Sequence, residues 1–500
     1  MPNSLLPRVV FRADGSAAVG LGHVVRCQAL AQALQPTFTA MFVVRNPAPA
    51  LSQQLAGAGL MILPIPETMP PGVSEAQWVA DQLSPTDILV LDGYQFSPVY
   101  QRVFSARGIA LVCLDDLITP PIWADAILNQ AGSVSPAAYA AVPLAHLYLG
   151  PAYALLRPPF WQQSGGARST EPRRLFLNMG GADPGNQTMA LLPRLQRQFP
   201  SYLVEVVTGA AYPYQAELAA YGQTLGQHVR LHHDLSASEL APLLRTCHVF
   251  VCPPSGVAYE CCAAGGAVLL HLTADNQTAM FDFLISEGVA LSLAEALALS
   301  EADLPALADQ QLPRQRALFD GKAGERLQAV FAELAASQQY KLRRATTDDA
   351  ALYFAWANDP AVRQNAVHPE PIAWATHVAW FGRRLQDADS YLYVLNNSEG
   401  NPVGQVRVEF DGPSVPGIID YSVAAAHRGQ GLGPVLLRRA LQRLRHERPA
   451  LAGGAVLGQV KAGNAASARV FERLRFMRQA AVTLQGEAYG VFRLDFPPDF

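Results

Sequence analysis

The pattern of hydrophobic and polar positions divides the chain into three stretches. Up to residue 116, short apolar runs (Arg8–Asp14, Thr39–Val44, Asp87–Asp92, Ile109–Asp116) alternate with segments spaced like helices, which predicts a doubly wound parallel sheet. The same alternation returns in Arg173–Gly181, Ser201–Gly209, His248–Cys252 and Gly266–Thr273. After residue 340 the rhythm changes. Ser390–Asn397, Pro402–Phe410 and Gly417–Ala424 are closely spaced strand candidates, followed by a Gly-rich loop and a long helix at Leu432–Glu447, a mixed α/β unit with much antiparallel pairing. The segment Gln162–Arg173 is polar and lacks periodicity, so it reads as a connection. A second boundary falls near Ser337–Tyr340, after an amphipathic helix at Arg326–Gln339. The predicted units are 1–161, 174–336 and 341–495.

Composition narrows the functional classes. Half of the 500 residues are hydrophobic and 16% are charged, which excludes a disordered chain and supports well-filled cores. The net charge of −4 provides no general basic field, so no nucleic-acid partner is expected, and anionic ligands would have to be held by local sites. The N-terminal segment carries Arg8 and Asp14 before any apolar stretch of signal-peptide length. Uncharged stretches such as Asn46–Pro66 are broken by Pro, Gly and Gln. No membrane partner and a soluble, cytoplasmic protein are expected; oligomeric state is not legible. The six cysteines (Cys27, Cys113, Cys247, Cys252, Cys261, Cys262) form no CxxC pair and no zinc-ligand spacing, and read as reduced, buried thiols.

The first candidate site lies between the strand ending at Asp14 and a helix beginning around His23. Glycines between them let the backbone approach a ligand, helix-start N–H groups suit an anion, and a histidine placed there can transfer a proton. Gly20, Gly22, His23 and Arg26 form a GxGHxxR motif that resembles the opening of the UDP-sugar hydrolases of pseudaminic acid biosynthesis, relatives of GT-B glycosyltransferases. The resemblance continues through Val90–Tyr94, the pair Asp115 and Asp116, Leu149–Phe160, Met179–Thr188, Ser255–Glu260 and Ala274–Gln277. It implies two Rossmann-like domains in a GT-B-like arrangement, and metal-free hydrolysis of UDP-2,4-diacetamido-2,4,6-trideoxy-β-L-altropyranose with inversion. By the same resemblance His23 would be the general base and Asn276 a further catalytic candidate; Tyr94 is a third, since its hydroxyl could stand near the reacting centre, or its ring could pack on the domain rim. Substrate would be bound by Asp14, Gly22, Arg26, Gly181, Ser255, Glu260 and Gln277. Gly180, Gly181, Ser255 and Gly256 would face the diphosphate, and Glu260 the ribose. Pro253 and Pro254 depart from the family's usual glycine-rich nucleotide loop.

The second candidate site is the loop before the long helix. Arg428, Gly431 and Gly433 give an R-x-x-G-x-G pattern whose free N–H groups can hold a pyrophosphate. With Val460–Phe476, in which Asn464 and Ser467 fall at matching positions, the segment resembles the GNAT acetyltransferase superfamily. Acetyl-CoA is the implied co-substrate, held by Val423, Arg428, Gly429, Gln430, Gly431, Gly433, Asn464 and Ser467. Phe354–Val367 and His377–Phe381 extend the likeness to the N-acetyltransferases of the same pathway, which acetylate the 4-amino group of UDP-4-amino-4,6-dideoxy-N-acetyl-β-L-altrosamine. Two positions depart from the pattern: Phe471 stands where many members have a tyrosine that protonates the thiolate, and Arg475 where a glycine is usual. Glu409 is a candidate acceptor of the amine proton.

The combined expectation is a bifunctional UDP-sugar hydrolase and N-acetyltransferase that needs no metal, since the product of the second unit is the substrate of the first. The alternative is a GT-B glycosyltransferase carrying an acyl-CoA-sensing or differently specific GNAT unit.

Overall fold

The structure is a computed structural model that describes residues 6–15, 22–118, 121–161, 173–412 and 415–498. Gly20 and most of the connection at 162–172 lie outside the described residues. Three sheets carry the architecture.

The first sheet contains β1 (Arg8–Ala13), β2 (Thr39–Arg45), β3 (Met61–Ile65), β4 (Ile88–Asp92), β5 (Ala110–Leu114), β6 (Ala126–Asn129) and β7 (His146–Leu149), all parallel, in the order β3-β2-β1-β4-β5-β6-β7. β4 and β5 are buried at every position, as expected of strands covered on both faces. The order reverses between β1 and β4, which opens a crevice at their C-terminal ends. The second sheet repeats the plan with β8 (Arg174–Leu177), β9 (Leu203–Thr208), β10 (Val229–His233), β11 (Val249–Cys252), β12 (Ala267–Leu270) and β13 (Leu291–Ser292). Its parallel order, β10-β9-β8-β11-β12-β13, reverses between β8 and β11.

The two halves exchange segments, which periodicity alone did not reveal. The helix Ala323–Gln338 packs Leu327, Val330, Phe331 and Leu334 into the first sheet's core, where Phe331 meets Phe38 edge-on at 6.2 Å. In return Ala154, Leu156 and Phe160 enter the core of the second half. Phe331 is fully buried, so its truncation to alanine should cost about 3–5 kcal/mol. The halves also touch where the Tyr259 hydroxyl donates to the Gln130 carbonyl at 2.9 Å, and where Gly132 lies so close to Phe283 that an added Cβ would come within 2.0 Å of its ring.

The third sheet holds β14 (Lys341–Arg344), β15 (Ser390–Asn396), β16 (Pro402–Glu409), β17 (Gly417–Val423), β18 (Ala455–Lys461), β19 (Met477–Leu484) and β20 (Glu487–Asp495), in the order β14-β15-β16-β17-β18-β20-β19. Every pairing is antiparallel except β17 with β18, which joins only Gly417–Ile419 to Val456–Gly458. The helix Leu432–Glu447 buries Leu436, Leu437, Ala440, Leu441 and Leu444 against one face.

The opposite side of that helix fastens the third unit to the first. Gln442 donates to Asp125 at 2.8 Å, His446 meets the Ser105 hydroxyl at 3.1 Å, and Arg438 approaches His146 at 3.4 Å. Leu144 belongs to the third unit's core, and Arg475 donates to the carbonyls of Val142 and Ala145. Arg475 has φ +61°, a left-handed conformation suited to glycine. Arg475, where the resemblance leads one to expect glycine, thus anchors one unit on another. Asp125 and His146 stand where β6 and β7 begin, so this docking surface is the N-terminal edge of the first sheet.

Candidate functional site

The crevice between β1 and β4 gathers the first site. His23 occupies the first turn of the helix Gly22–Leu34, and Asp92 is the last residue of β4. The fully buried Asp92 carboxylate meets His23 Nδ1 at 2.7 Å and accepts from Arg26 Nε at 2.6 Å. Burial alone would raise its pKa, but the bonds from Arg26 and His23 outweigh that and hold it below the ordinary carboxylate value. An ionised carboxylate can only accept, so the shared hydrogen sits on Nδ1. The Nε2 lone pair is left to act as a base.

Arg26 also donates to Asp116 at 2.8 Å, and the Tyr94 hydroxyl donates to the same carboxylate at 3.3 Å. Tyr94 is 62% exposed and sets its ring edge-on to His23 at 5.0 Å, so it stands at the mouth of the crevice. Asp14 accepts from Arg12 at 2.8 Å, from the Arg45 N–H at 2.9 Å and from Gln95 at 3.1 Å. Arg12 is itself buried and bonded to Glu75 at 2.9 Å, and Glu75 accepts from Tyr100 at 2.9 Å. A buried polar chain therefore fixes Asp14 from below. Asp115 accepts from Tyr139 at 2.6 Å and from the Leu117 N–H at 3.1 Å, which shapes the turn that presents Asp116.

In the second half, Gly181 follows β8 and Ser255 follows β11, on either side of the second reversal. An added Cβ on Gly209 would lie 2.5 Å from the Gly181 carbonyl, so the two loops run against one another. Ser255 precedes the helix Gly256–Ala264 and its side chain makes no capping bond. Glu260, in that helix, is gripped by Arg157 at 2.6 and 2.7 Å, so a ribose would have to share the carboxylate with a guanidinium. Gln277 accepts from the Thr273 N–H and hydroxyl at 3.0 and 3.1 Å, while Asn276 is exposed in the same turn. Among the described residues no hydrogen bond joins this set to the His23 cluster.

In the third unit, residues 428–431 are exposed, with Gly429 at φ +77° and Gly431 at φ +76°. Gly431 caps the helix Leu432–Glu447 in the left-handed region that its lack of a Cβ permits. Arg428 donates to the Val423 carbonyl at 3.0 Å and pairs with Asp359 at 2.9 Å, while Gln430 donates to the Ala426 carbonyl at 3.2 Å. Gly433 has a different reason to be glycine, since an added Cβ would come within 2.9 Å of Val470. Asn464 caps the helix Ala465–Arg473 by accepting from the Ser467 N–H at 3.1 Å. Glu409 faces Arg384 at 3.2 Å and Arg407 at 3.8 Å, and these arginines also pair with Asp387 and Asp420. Phe471 is buried in a ring cluster, stacked on Phe492 at 5.5 Å.

Asp92 and the Arg26–Asp116 contact were not singled out as functional by sequence reading. The available signal was an acid closing a wholly apolar strand; its link to His23 needs the strand order, since the two are 69 residues apart. No group of three or more His, Cys, Asp or Glu among the described residues is arranged to hold a metal ion. No helix among them is long and apolar enough to cross a membrane.

Comparison with known proteins separates the third unit from the rest. Residues 340–477 match the model of a family described as "Acetyltransferase (GNAT) domain", so the chain carries a C-terminal GNAT acetyltransferase domain. A curated, uncharacterized protein of Methanocaldococcus jannaschii is 19% identical over 268 residues, 52% of this chain and 54% of that protein. The alignment thus spans about half of that relative's length. The UDP-2,4-diacetamido-2,4,6-trideoxy-β-L-altropyranose hydrolase of Campylobacter jejuni is 24% identical over 235 residues, 45% of this chain and 78% of that enzyme. Among solved structures, spermidine N-acetyltransferase from Vibrio cholerae, in complex with CoA and spermine, is 15% identical and covers 31% of this chain and 95% of its own, with a TM-score of 0.28.

Proposed function

We propose that the chain is a bifunctional, cytoplasmic enzyme that acetylates a UDP-4-amino sugar in its C-terminal domain and hydrolyses the acetylated UDP-sugar in its first two units. The substrates of this reading are UDP-4-amino-4,6-dideoxy-N-acetyl-β-L-altrosamine and UDP-2,4-diacetamido-2,4,6-trideoxy-β-L-altropyranose, the pair of consecutive steps in pseudaminic acid biosynthesis. The GNAT match and the likeness to the Campylobacter hydrolase support it.

The observation that carries the hydrolytic half is the His23–Asp92 pair at the β1/β4 reversal. In this mechanism His23 Nε2 takes a proton from water as the oxygen attacks the anomeric carbon, and Asp92 stabilises the imidazolium that forms. The C–O bond to the diphosphate breaks with its electron pair on UDP, and attack from the opposite face inverts the anomeric centre. Loops at Gly181 and Ser255 would supply N–H groups to the diphosphate, in a GT-B-like arrangement of the two halves, with Glu260 toward the ribose and Asn276 and Gln277 toward the sugar. Arg26 positions Asp92 and Asp116, and Tyr94 closes the sugar side. In the GNAT domain, acetyl-CoA supplies the acyl group, and the 428–433 loop would hold its pyrophosphate, with Val423, Asn464 and Ser467 along its arm.

The test is an NMR time course of the purified chain with acetyl-CoA and the UDP-4-amino sugar. Sequential appearance of the N-acetylated UDP-sugar and then of free sugar plus UDP is expected, the first-formed sugar being the inverted anomer. UDP release that requires an added acceptor would instead indicate a glycosyltransferase. An absence of CoA release dependent on the amino sugar would reduce the GNAT domain to an acyl-CoA sensor or to another acceptor.

A further inference from the structure

A charged group taken out of water needs a partner, and the surface that joins the GNAT domain to the first unit holds more cations than it matches. Arg438 reaches across that surface from the helix Leu432–Glu447. Its Nε is shut off from solvent and has no acceptor among the described residues, and its Nη2 meets His146 Nδ1 at 3.4 Å. A guanidinium carries five N–H donors, and one long contact to a neutral imidazole satisfies little of it. Arg439 also has a buried Nε without an acceptor among the described residues, and gives its Nη2 to the Ser337 carbonyl at 2.8 Å and to Gln338 at 2.9 Å, both uncharged. Arg475 likewise donates to the neutral carbonyls of Val142 and Ala145.

The acids beside these arginines are already engaged. Asp125 accepts from Gln442 and from the Leu111 N–H, each at 2.8 Å, and Glu333 holds Arg473 at 2.6 Å. Arg438, Arg439, Arg473 and Arg475 thus face Asp125 and Glu333, four positive charges against two negative, and two are left over. Burial pulls the Arg438 pKa down to about 10, a loss that Asp125 and Glu333 only partly offset. The groups share one place, since Arg438, Arg473 and Arg475 all act on His146, while Glu333, Arg438 and Arg473 act on the Tyr148 hydroxyl. His146 and Tyr148 stand two residues apart on one face of the edge strand β7, their rings 6.0 Å from each other. The Arg473 and Glu333 side chains are 52% and 45% exposed, so the cluster opens to solvent on their side.

We propose that Arg438 and Arg473 bind a phosphate group carrying two negative charges where β7, the helix Ala323–Gln338 and the GNAT domain meet. Planar guanidinium forks match phosphate oxygens, and a dianion cancels the surplus charge. The Tyr148 hydroxyl adds a neutral donor, because burial and then Glu333 raise its pKa to about 12. Arg438 is seven residues, about 10 Å, along its helix from Gly431, so this site is distinct from the 428–433 loop, and it depends on neither proposed activity. Its occupant ties the GNAT domain to the first unit.

The test titrates the full chain by calorimetry with inorganic phosphate, at matched ionic strength, in wild type, Arg438→Met and Glu333→Gln, and follows thermal unfolding alongside. Arg438→Met should bind phosphate at least about 10-fold more weakly than wild type, the scale of one lost charge-assisted hydrogen bond. Glu333→Gln, which frees Arg473, should bind it roughly 3-fold more tightly. Competition by UDP and by CoA distinguishes the sources: displacement of phosphate by either, lost in Arg438→Met, assigns the site to that nucleotide, and displacement by neither assigns it to inorganic phosphate. In phosphate-free buffer Arg438→Met should melt above wild type, because an unmatched buried charge is gone while the aliphatic stem is kept. Phosphate held by the loops at Gly181 or 428–433 would be indifferent to both substitutions. Equal phosphate affinity in wild type and Arg438→Met would therefore overturn the proposal, and so would a lower melting temperature for Arg438→Met, which would show that the charge is already balanced.

Discussion

Acidification should loosen the GNAT domain from the first unit before it unfolds the parallel sheets. His146 and His446 lie in that docking surface, and both imidazoles are held neutral. Burial, then Arg438, Arg473 and Arg475, pull the His146 pKa from 6.5 down to about 3; burial, then Arg445 and Arg102, pull His446 down to about 4. Folded pKa values below the unfolded value mean that the unfolded or undocked chain binds more protons. The stability they contribute is complete above pH 6.5 and is lost as pH falls toward the folded values. Each pH unit withdraws about 1.4 kcal/mol per group, so moving from pH 6.5 to 5 removes about 2 kcal/mol at each histidine and about 4 kcal/mol together. The assay is urea unfolding at pH 7 and pH 5, followed by the fluorescence of tryptophans that include Trp123, whose ring packs on His446 at 5.0 Å. The pH-dependent loss should be about 4 kcal/mol smaller in the double variant His146→Gln, His446→Gln than in wild type. His271 and His377 are also shifted down by burial, but they are common to both proteins and cancel. Identical pH dependence in the two proteins would refute the reasoning.

Three further outcomes follow from the sites. His23→Ala should lower hydrolysis by roughly 10²–10⁴, and Asp92→Asn by at least about 10², because an amide can turn an N–H toward Nδ1 and leave the wrong tautomer. Acetyl transfer should survive in both, and near-wild-type hydrolysis would dismiss the dyad. Gly431→Val forces a β-branched residue to φ +76° and puts a side chain over the exposed loop, so acetyl-CoA affinity measured by calorimetry should fall while hydrolysis of pre-acetylated UDP-sugar continues. In a coupled reaction started with labelled amino sugar, added unlabelled acetylated UDP-sugar should dilute the released free sugar fully; retained label would show transfer between the sites without release.

Much of this was legible before any coordinates, for physical reasons that differ by region. Runs such as Ile88–Asp92 and Ala110–Leu114 are apolar without alternation, which only a strand buried on both faces tolerates, so the parallel sheets could be read locally. The exchanged helix at 323–338 could be seen as a helix but not as part of the first core, because amphipathicity says that a face is buried and not against what. Gly431 and Gly433 looked alike as letters in one motif. Only packing separates a glycine needed for a left-handed cap from one needed for Val470 to fit. Asp92 escaped notice because its link to His23 is a pairing across strands, which a single apolar run does not show.

The docking of the GNAT domain on the starting edge of the first sheet sets a distance. Asp14 and Asp92 stand at the C-terminal ends of β1 and β4, about 17 Å along five residues of strand from the edge at which the GNAT domain docks on β6 and β7. Gln442, bonded to Asp125, is eleven residues along the helix from Gly431, about 16 Å. The His23 crevice thus opens at the end of the first sheet opposite to the edge that carries the GNAT domain. On the proposed function, an acetylated sugar nucleotide would leave one site and be caught anew at the other, so what the fusion would guarantee is equal numbers of the two catalysts rather than a private route between them.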